Sequence, residues 1–292
     1  MSAAMDSRQK SVIRSTRTEL LSTGVYEAGG AYEWVHSLGV GAPIPFSSLP
    51  ISIDPAPGAD LLVVGIGGDR HRSYSTPAGS TVFDLITAGV PANLRAAGRA
   101  WGTALSVLHE NASLIDFPGS TPRTVQRAAA WLGGAWEPAR EVLGDPGLQE
   151  IRRWIKRVLS GPRQVIAHGY PGMAHWVVTP DGATGSLLTG EDVGFAHPEY
   201  DIAWVLGEMA ELHAFHPVLR PALEELRAGF LETCGKAPGP SEIGPALAFR
   251  IAQHAYDWHH YAGAGEAQAK ALLHLAGWYL ASPAADTTPE MR

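Results

Sequence analysis

The order of hydrophobic periods along the chain predicts an α+β protein of two unequal lobes, a small strand-containing start followed by a large helical remainder. Three observations carry this. The β-branched run Leu61-Leu62-Val63-Val64-Gly65-Ile66 has strand length and ends at Gly67-Gly68-Asp69. Short apolar runs at 164–167 and 176–179 precede a returning run at 183–188, and Pro180-Asp181-Gly182 joins the last two as a turn in which Pro presets φ and Gly accepts a positive one. From 201 to 280 the spacing is helical, interrupted at Pro217, at Pro221 and across 236–240.

In chain order, Ser11-Val12-Ile13-Arg14 reads as a short strand, followed up to residue 36 by a helix carrying Glu19, Glu27 and Glu33. Pro43 and Pro45 end that helix, because proline removes a backbone donor and restricts the residue before it. A helix over 94–109 places Leu94, Trp101, Leu105 and Leu108 on one face, and 121–131 and 149–159 are further helices. A long helix starts at Ser241 and runs through His254 to His260. The expected division is a disordered tail at 1–10, a reduced N-terminal lobe at 11–75, a helical C-terminal lobe with the hairpin at 76–284, and a tail at 285–292.

Composition narrows the function. Of 292 residues, 45% are apolar and 17% charged, as in a folded globular protein. The net charge of −7 argues against general nucleic-acid binding, which needs a basic face. The densest basic stretch, Arg152-Arg153-Trp154-Ile155-Lys156-Arg157, reads as a solvated helix face. A single cysteine, Cys234, gives neither a disulfide framework nor a metal knuckle. Neither a secretory leader nor a membrane span is expected, so the expected location is the cytoplasm. Only Lys10, Lys156, Lys236 and Lys270 are lysines, against eighteen arginines, a bias that suits a high-GC genome such as an actinobacterium.

The densest cluster of chemistry-bearing residues is His168-Gly169-Tyr170-Pro171-Gly172-Met173-Ala174-His175, then the hairpin, then Thr189-Gly190-Glu191-Asp192, then His197-Pro198-Glu199-Tyr200-Asp201-Ile202-Ala203-Trp204. This run resembles the aminoglycoside phosphotransferases and related small-molecule kinases, which carry His-Gly-Asp, an Asn five residues on, an Asp after a hairpin, and a Pro-x-x-Asp-Leu-Ala helix start. The resemblance covers roughly 11–281 and is specific over about 165–205. It implies a two-lobed protein-kinase-like fold, and with it a set of roles. The proton-accepting Asp falls on Tyr170, the metal-binding Asn on His175 and the metal-binding Asp on Thr189. Each is a replacement: a phenol is a poor base at neutral pH, and imidazole is a poor ligand for Mg²⁺, which takes oxygen donors. The lysine that the family places on an early strand is also missing, since none lies between Lys10 and Lys156. Arg14, with Glu33 or Glu27 as its helix partner, is the nucleotide-side candidate, although Arg is no neutral replacement for Lys. Fewer residues precede the first strand than the phosphate-covering strands need, and Gly65-x-Gly67-Gly68 reads as a turn. His168 and Asp201 persist, with Asp201 in a structural role. Glu191 and Asp192 are the candidate acidic residues for a shifted metal site.

Two function classes follow. The first is a pseudoenzyme recognising a small molecule, peptide or partner, with no cofactor and no metal, no nucleic acid and no membrane, its oligomeric state open. The second is an enzyme. It would be either a phosphotransferase with an altered site, using ATP and Mg²⁺ on an antibiotic-like or Ser/Thr-peptide hydroxyl, or a repurposed biosynthetic enzyme using His168, Tyr170 and His175. Other histidines, among them His213, His216, His254, His259 and His260, read as ordinary surface or core residues, and Trp258 near Tyr261 as a cleft wall.

Overall fold

The computed structural model describes residues 11–47, 51–114 and 120–282, so the tails expected at 1–10 and 285–292 lie outside the described residues. The start of the chain is sheet, not strand and helix. Strands β1 (Ser11–Arg17), β2 (Leu21–Ala28) and β3 (Ala31–Leu38) form an antiparallel meander. The physical reason is the two-residue loop Gly29-Gly30, with φ of 63° and 85°, which is the geometry a tight right-twisting hairpin demands and glycine supplies. Val25, Tyr26, Tyr32, Trp34 and Val35 are strand formers on either side. After β4 (Ile51–Ile53) come β5 (Leu62–Val64), β6 (Ile66–Gly67) and β7 (His71–Thr76), and the five-stranded sheet runs in the order β1-β2-β3-β7-β6.

The helical lobe begins with β8 (Ser80–Thr81) and α1 (Val82–Thr87), whose Thr81 and Asp84 form a reciprocal capping box. Then follow α2 (Leu94–Asn111), β9 (Ala112–Leu114), α3 (Arg123–Leu132) and α4 (Glu137–Ser160), the last bent at Gly144 where φ is 64°. The central strands are β10 (Val165–Ala167), β11 (Trp176–Val178), β12 (Gly185–Thr189) and β13 (Gly194–Ala196). Helices α5 (Glu199–Phe215), α6 (Arg220–Thr233), α7 (Pro240–Tyr261) and α8 (Glu266–Ala281) complete the chain. Pro221 opens α6 at its first turn, where its missing N–H costs nothing. Among the described residues no helix is long and apolar enough to cross a membrane.

Two cores meet at the hairpin. The large one gathers α2 and α4–α8, with Trp101 stacked on Trp176 at 6.2 Å between ring centres. In the small one Val25, Trp34 and Tyr74 rest on Val177 of β11 and Leu188 of β12. The lobes are also fastened by backbone. Strand β5 pairs in parallel with β12, and at the β1–β2 turn the Glu19 N–H donates to Tyr261 O, at the end of α7, at 2.8 Å. Gly41 N–H donates to Glu19 O at 2.9 Å, and a side chain at Gly39 would put its Cβ 2.0 Å from that same oxygen.

In the basic stretch on α4, Arg153 and Lys156 are exposed as expected of a solvated face, whereas Arg152 and Arg157 are engaged. Arg152 Nε donates to Leu132 O at 2.6 Å, and Arg157 pairs with Glu199 and Glu242 at 2.8 Å each, tying α4 to its neighbours.

Candidate functional site

The inner face of the N-terminal sheet carries two cross-strand rows. Arg14, Val25, Trp34 and Tyr74 form one; Thr16, Thr23, His36 and Arg72 form the next. Arg14 is engaged at the sheet edge: its Nη1 donates to Asp84 Oδ1 at 2.5 Å and its guanidinium lies 5.2 Å from the Trp34 ring centre. The predicted pairing of Arg14 with Glu33 or Glu27 is therefore incorrect. Both glutamates stand on strands, and Glu33, three residues from His36, points to the opposite face of β3. The residue that reaches the cleft from β3 is His36.

Below it lies the loop after β10. Asp201 is fully buried at the start of α5 and organises that loop: Oδ2 accepts from His168 N–H at 2.7 Å and His109 Nε2–H at 2.8 Å, and Oδ1 accepts from Gly169 N–H at 2.9 Å. Gly169, with φ of 85°, has to be glycine, because a Cβ would stand 2.1 Å from Asp192 O. His168 donates from Nε2 to Leu188 O at 2.8 Å while its Nδ1 accepts Tyr170 N–H at 3.3 Å. Burial, helped by the like charge of His175, pushes the His168 pKa down to about 4, so the ring is neutral.

Tyr170 packs its ring 4.7 Å from Trp204 and 5.4 Å from His175, centre to centre. Burial drives its phenol well above the ordinary value, so it stays protonated. The two do not form a hydrogen-bonded acid–base pair, because neither ring nitrogen of His175 has a hydrogen-bond partner. Thr189 spends its hydroxyl on Leu187 O at 3.1 Å.

Glu191 and Asp192 point inward, and both are taken. Glu191 Oε1 contacts His36 Nδ1 and accepts from Tyr74 Oη–H at 2.7 Å, while Oε2 lies 3.8 Å from His175 Nε2, an ion-pair separation too long for a hydrogen bond. Burial works against ionisation of Glu191, but His36 and His175 outweigh it and hold the carboxyl well below the usual range. The same pairing lifts His175 above an ordinary histidine despite its burial. Asp192 Oδ1 accepts from Arg123 Nη1 at 3.1 Å and Arg127 Nη1 at 3.0 Å, and Arg127 Nη2 reaches Asp257 Oδ2 at 3.2 Å. Against the cost of burial, the two guanidiniums keep Asp192 ionised. The segment after β3 closes over this cluster: Arg123 Nε donates to Ile44 O at 3.0 Å, Ser47 N–H to Glu191 O at 2.7 Å, Arg72 to Ser47 O, and Phe46 is buried.

Two chambers with shared walls remain. The inner one, about 290 Å³, is bounded by Thr16, Thr23, Arg127, His175, Glu191 and Asp257; the outer, about 610 Å³, by Phe83, Glu208, Phe215, Arg250 and Leu272. Tyr170, Ala174, His254 and Trp258 line both, and Tyr261 lines the inner one. His254 stacks on Trp258 at 5.7 Å and bonds Glu211 at 2.8 Å, so it is a wall residue.

His168, Tyr170, His175, Glu191 and Asp192 thus converge, Asp201 supports them from below, and Arg14 and Glu33 stand apart. Sequence reasoning missed His36, Tyr74 and the Arg123/Arg127 pair. The arginines, four apart on one helix face, were visible as a pattern; His36 required reading 31–38 as a strand.

No protein-family model and no curated protein matches the sequence. Solved structures do match over nearly its whole length. A choline/ethanolamine kinase family protein from Mesorhizobium loti has a TM-score of 0.54 at 13% identity, covering 95% of this chain and 91% of its own. An amicoumacin kinase in complex with AMP-PNP, Ca²⁺ and Ami gives 0.54 at 11%, covering 93% and 87%. The choline kinase LicA from Streptococcus pneumoniae gives 0.51 at 11%, covering 92% and 94%. At these identities the likeness establishes fold: the chain has the aminoglycoside-phosphotransferase-like form of the protein-kinase-like fold. In that fold a lysine on the third strand holds the nucleotide phosphates and an Asn and an Asp hold Mg²⁺. Here β3 turns His36 into the cleft, and on the resemblance read from the sequence the Asn and Asp positions fall on His175 and Thr189. Two imidazoles and one engaged carboxylate do not fit an oxygen-ligated Mg²⁺.

Proposed function

We propose that this phosphotransferase-like protein is a pseudoenzyme that binds a small molecule in the two-chambered cleft. The observation that carries the reading is the sequestration of both inward carboxylates, Glu191 by His36 and Tyr74 and Asp192 by Arg123 and Arg127. Phosphoryl transfer is mostly positioning and charge neutralisation, and it needs free carboxylates to bridge Mg²⁺ to the phosphates. Releasing Asp192 would leave the buried Arg123 guanidinium without its carboxylate and Arg127 with Asp257 alone, at a cost of about 3–5 kcal/mol.

The outer chamber suggests the class of ligand. Phe83, Leu212, Phe215 and Leu272 give it an apolar wall, while Glu208 and Glu211 face the single guanidinium of Arg250. That balance suits an apolar molecule carrying a basic group. Thermal unfolding tests both halves. Millimolar ATP with Mg²⁺ is expected to leave the midpoint where Mg²⁺ alone leaves it, whereas an amphiphilic amine at about 100 times its Kd stabilises the fold by about 2.7 kcal/mol. A Mg²⁺-dependent shift with ATP would restore the phosphotransferase reading, in which an antibiotic-like or peptide hydroxyl is the acceptor.

A further inference from the structure

We propose that His36, His175 and Glu191 form a binding site for a divalent transition-metal ion of the zinc class. One ligand atom from each residue lies within 4.8 Å of the other two, and all three residues are buried. They arrive from three parts of the chain, β3, the loop after β10, and the turn after β12, so the fold and not local sequence brings them together.

The donor set selects the metal. Two imidazole nitrogens and one carboxylate suit zinc and its transition-metal neighbours, and they disfavour Mg²⁺ and Ca²⁺, which take oxygens. His175 supplies an independent sign of a ligand. Its side chain is 6% exposed, yet Nδ1 and Nε2 both have no hydrogen-bond partner. Buried polar groups are nearly always satisfied, so a ring with two idle nitrogens beside a carboxylate calls for a further partner.

Geometry agrees. Metal–nitrogen and metal–oxygen distances of about 2.0–2.2 Å place the ligand atoms of a tetrahedral ion roughly 3.4 Å apart. His175 Nε2 and Glu191 Oε2 already stand 3.8 Å apart, and His36 Nδ1, now in contact with Glu191 Oε1, would exchange that contact for the ion through side-chain torsions. The surrounding groups already orient the ligands. Tyr74 Oη–H donates to Glu191 Oε1 at 2.7 Å and leaves Oε2 facing His175, the arrangement by which outer groups steer a coordinating carboxylate. His175 and Glu191 also line the inner chamber, which gives room for a water or ligand atom in the fourth position. The proposal does not depend on which organic molecule occupies the outer chamber, nor on whether any does.

The test uses the full-length chain, stripped with a chelator, desalted and titrated with Co²⁺ and, in competition with a chromophoric chelator, Zn²⁺. Wild type is expected to bind one ion per chain, to show the visible absorption of low-coordinate Co²⁺, and to melt at a higher temperature when loaded. His175→Asn removes the ion pair with Glu191 but no hydrogen bond, so without metal it should still melt cooperatively, at a lower temperature than wild type, and it should lose the bound ion. Tyr74→Phe is expected to bind about 10–100-fold more weakly, the usual effect of an outer partner. The exposed His260→Asn serves as a control and should bind like wild type. Metal binding that survives His175→Asn and disappears in His260→Asn would overturn the proposal, as would a wild-type chain that takes up no more Co²⁺ than His175→Asn. Mg²⁺ displacing Zn²⁺ at comparable concentration would also overturn it.

Discussion

Asp201 offers the sharpest test of how the central loop is held. Three buried donors converge on it, His168 N–H at 2.7 Å, His109 Nε2–H at 2.8 Å and Gly169 N–H at 2.9 Å, and the side chain has no exposure to water. Hydrogen bonds to a charged acceptor are worth about 1.5–3 kcal/mol each, and a buried donor left without a partner costs about 1–3 kcal/mol. Asp201→Asn keeps one oxygen, which can still serve His168 and His109, but turns an amide N–H toward Gly169, so the expected loss is about 2–3 kcal/mol. Asp201→Ala abandons all three donors. Because the three share one acceptor their contributions do not add fully, and the expected loss is about 4–6 kcal/mol. Measured against a total stability of about 5–15 kcal/mol, the alanine variant stands near the edge of folding. Urea unfolding followed by tryptophan fluorescence reads both. The reasoning requires a graded order, wild type above Asn above Ala. It fails if both variants lose less than about 1 kcal/mol, or if Asn unfolds wild-type-like while ligand binding disappears, since Asp201 would then be a ligand-contacting residue rather than a support.

Two further outcomes follow from the buried charges. The folded-state pKa of His168 lies at about 4, below its unfolded value of about 6.5, so the stability tied to its neutral form is complete above pH 6.5 and is lost as pH falls toward 4; the span corresponds to about 3 kcal/mol, and His168→Gln should flatten the decline of the urea midpoint across that window. His175 works in the opposite sense: its raised pKa contributes stability below pH 6.5 that is lost as pH rises through the folded value. Arg127→Met leaves Asp192 and Asp257 buried without their shared guanidinium and should cost about 3–5 kcal/mol by the same assay, with adding Asp257→Asn recovering part of it; a loss under about 1 kcal/mol would mean the cluster is wetter than its burial implies.

The two halves of the chain differed in how openly they announced themselves. The hairpin at 176–189 could be read directly, because Thr179 and Asp181 close its turn through side-chain bonds at 2.6 Å and 3.0 Å that any Pro-Asp-Gly turn invites. The N-terminal sheet does not read as such: the stretch up to residue 36 reads as a helix carrying Glu19, Glu27 and Glu33, while the stronger cue is Gly29-Gly30 between aromatic and β-branched residues. For the site, His168, Tyr170, His175 and Asp201 were visible as a spaced motif. The partners of Glu191 were not: His36 lies 155 residues away and Tyr74 lies 117 away. Contacts of that range follow from lobe packing, to which no local pattern points.

The bond from the β1–β2 turn to the end of α7 changes how the cleft can exchange its contents. An enzyme that cycles nucleotides must yawn and shut at every turnover. Here the upper lobe is fastened at its front edge by Glu19 and at its rear by Ser47 and Arg123, so a swing of the lobes would have to break these bonds. The two chambers share Tyr170, Ala174, His254 and Trp258 as walls, so a ligand that fills both would touch all four without any movement of the lobes.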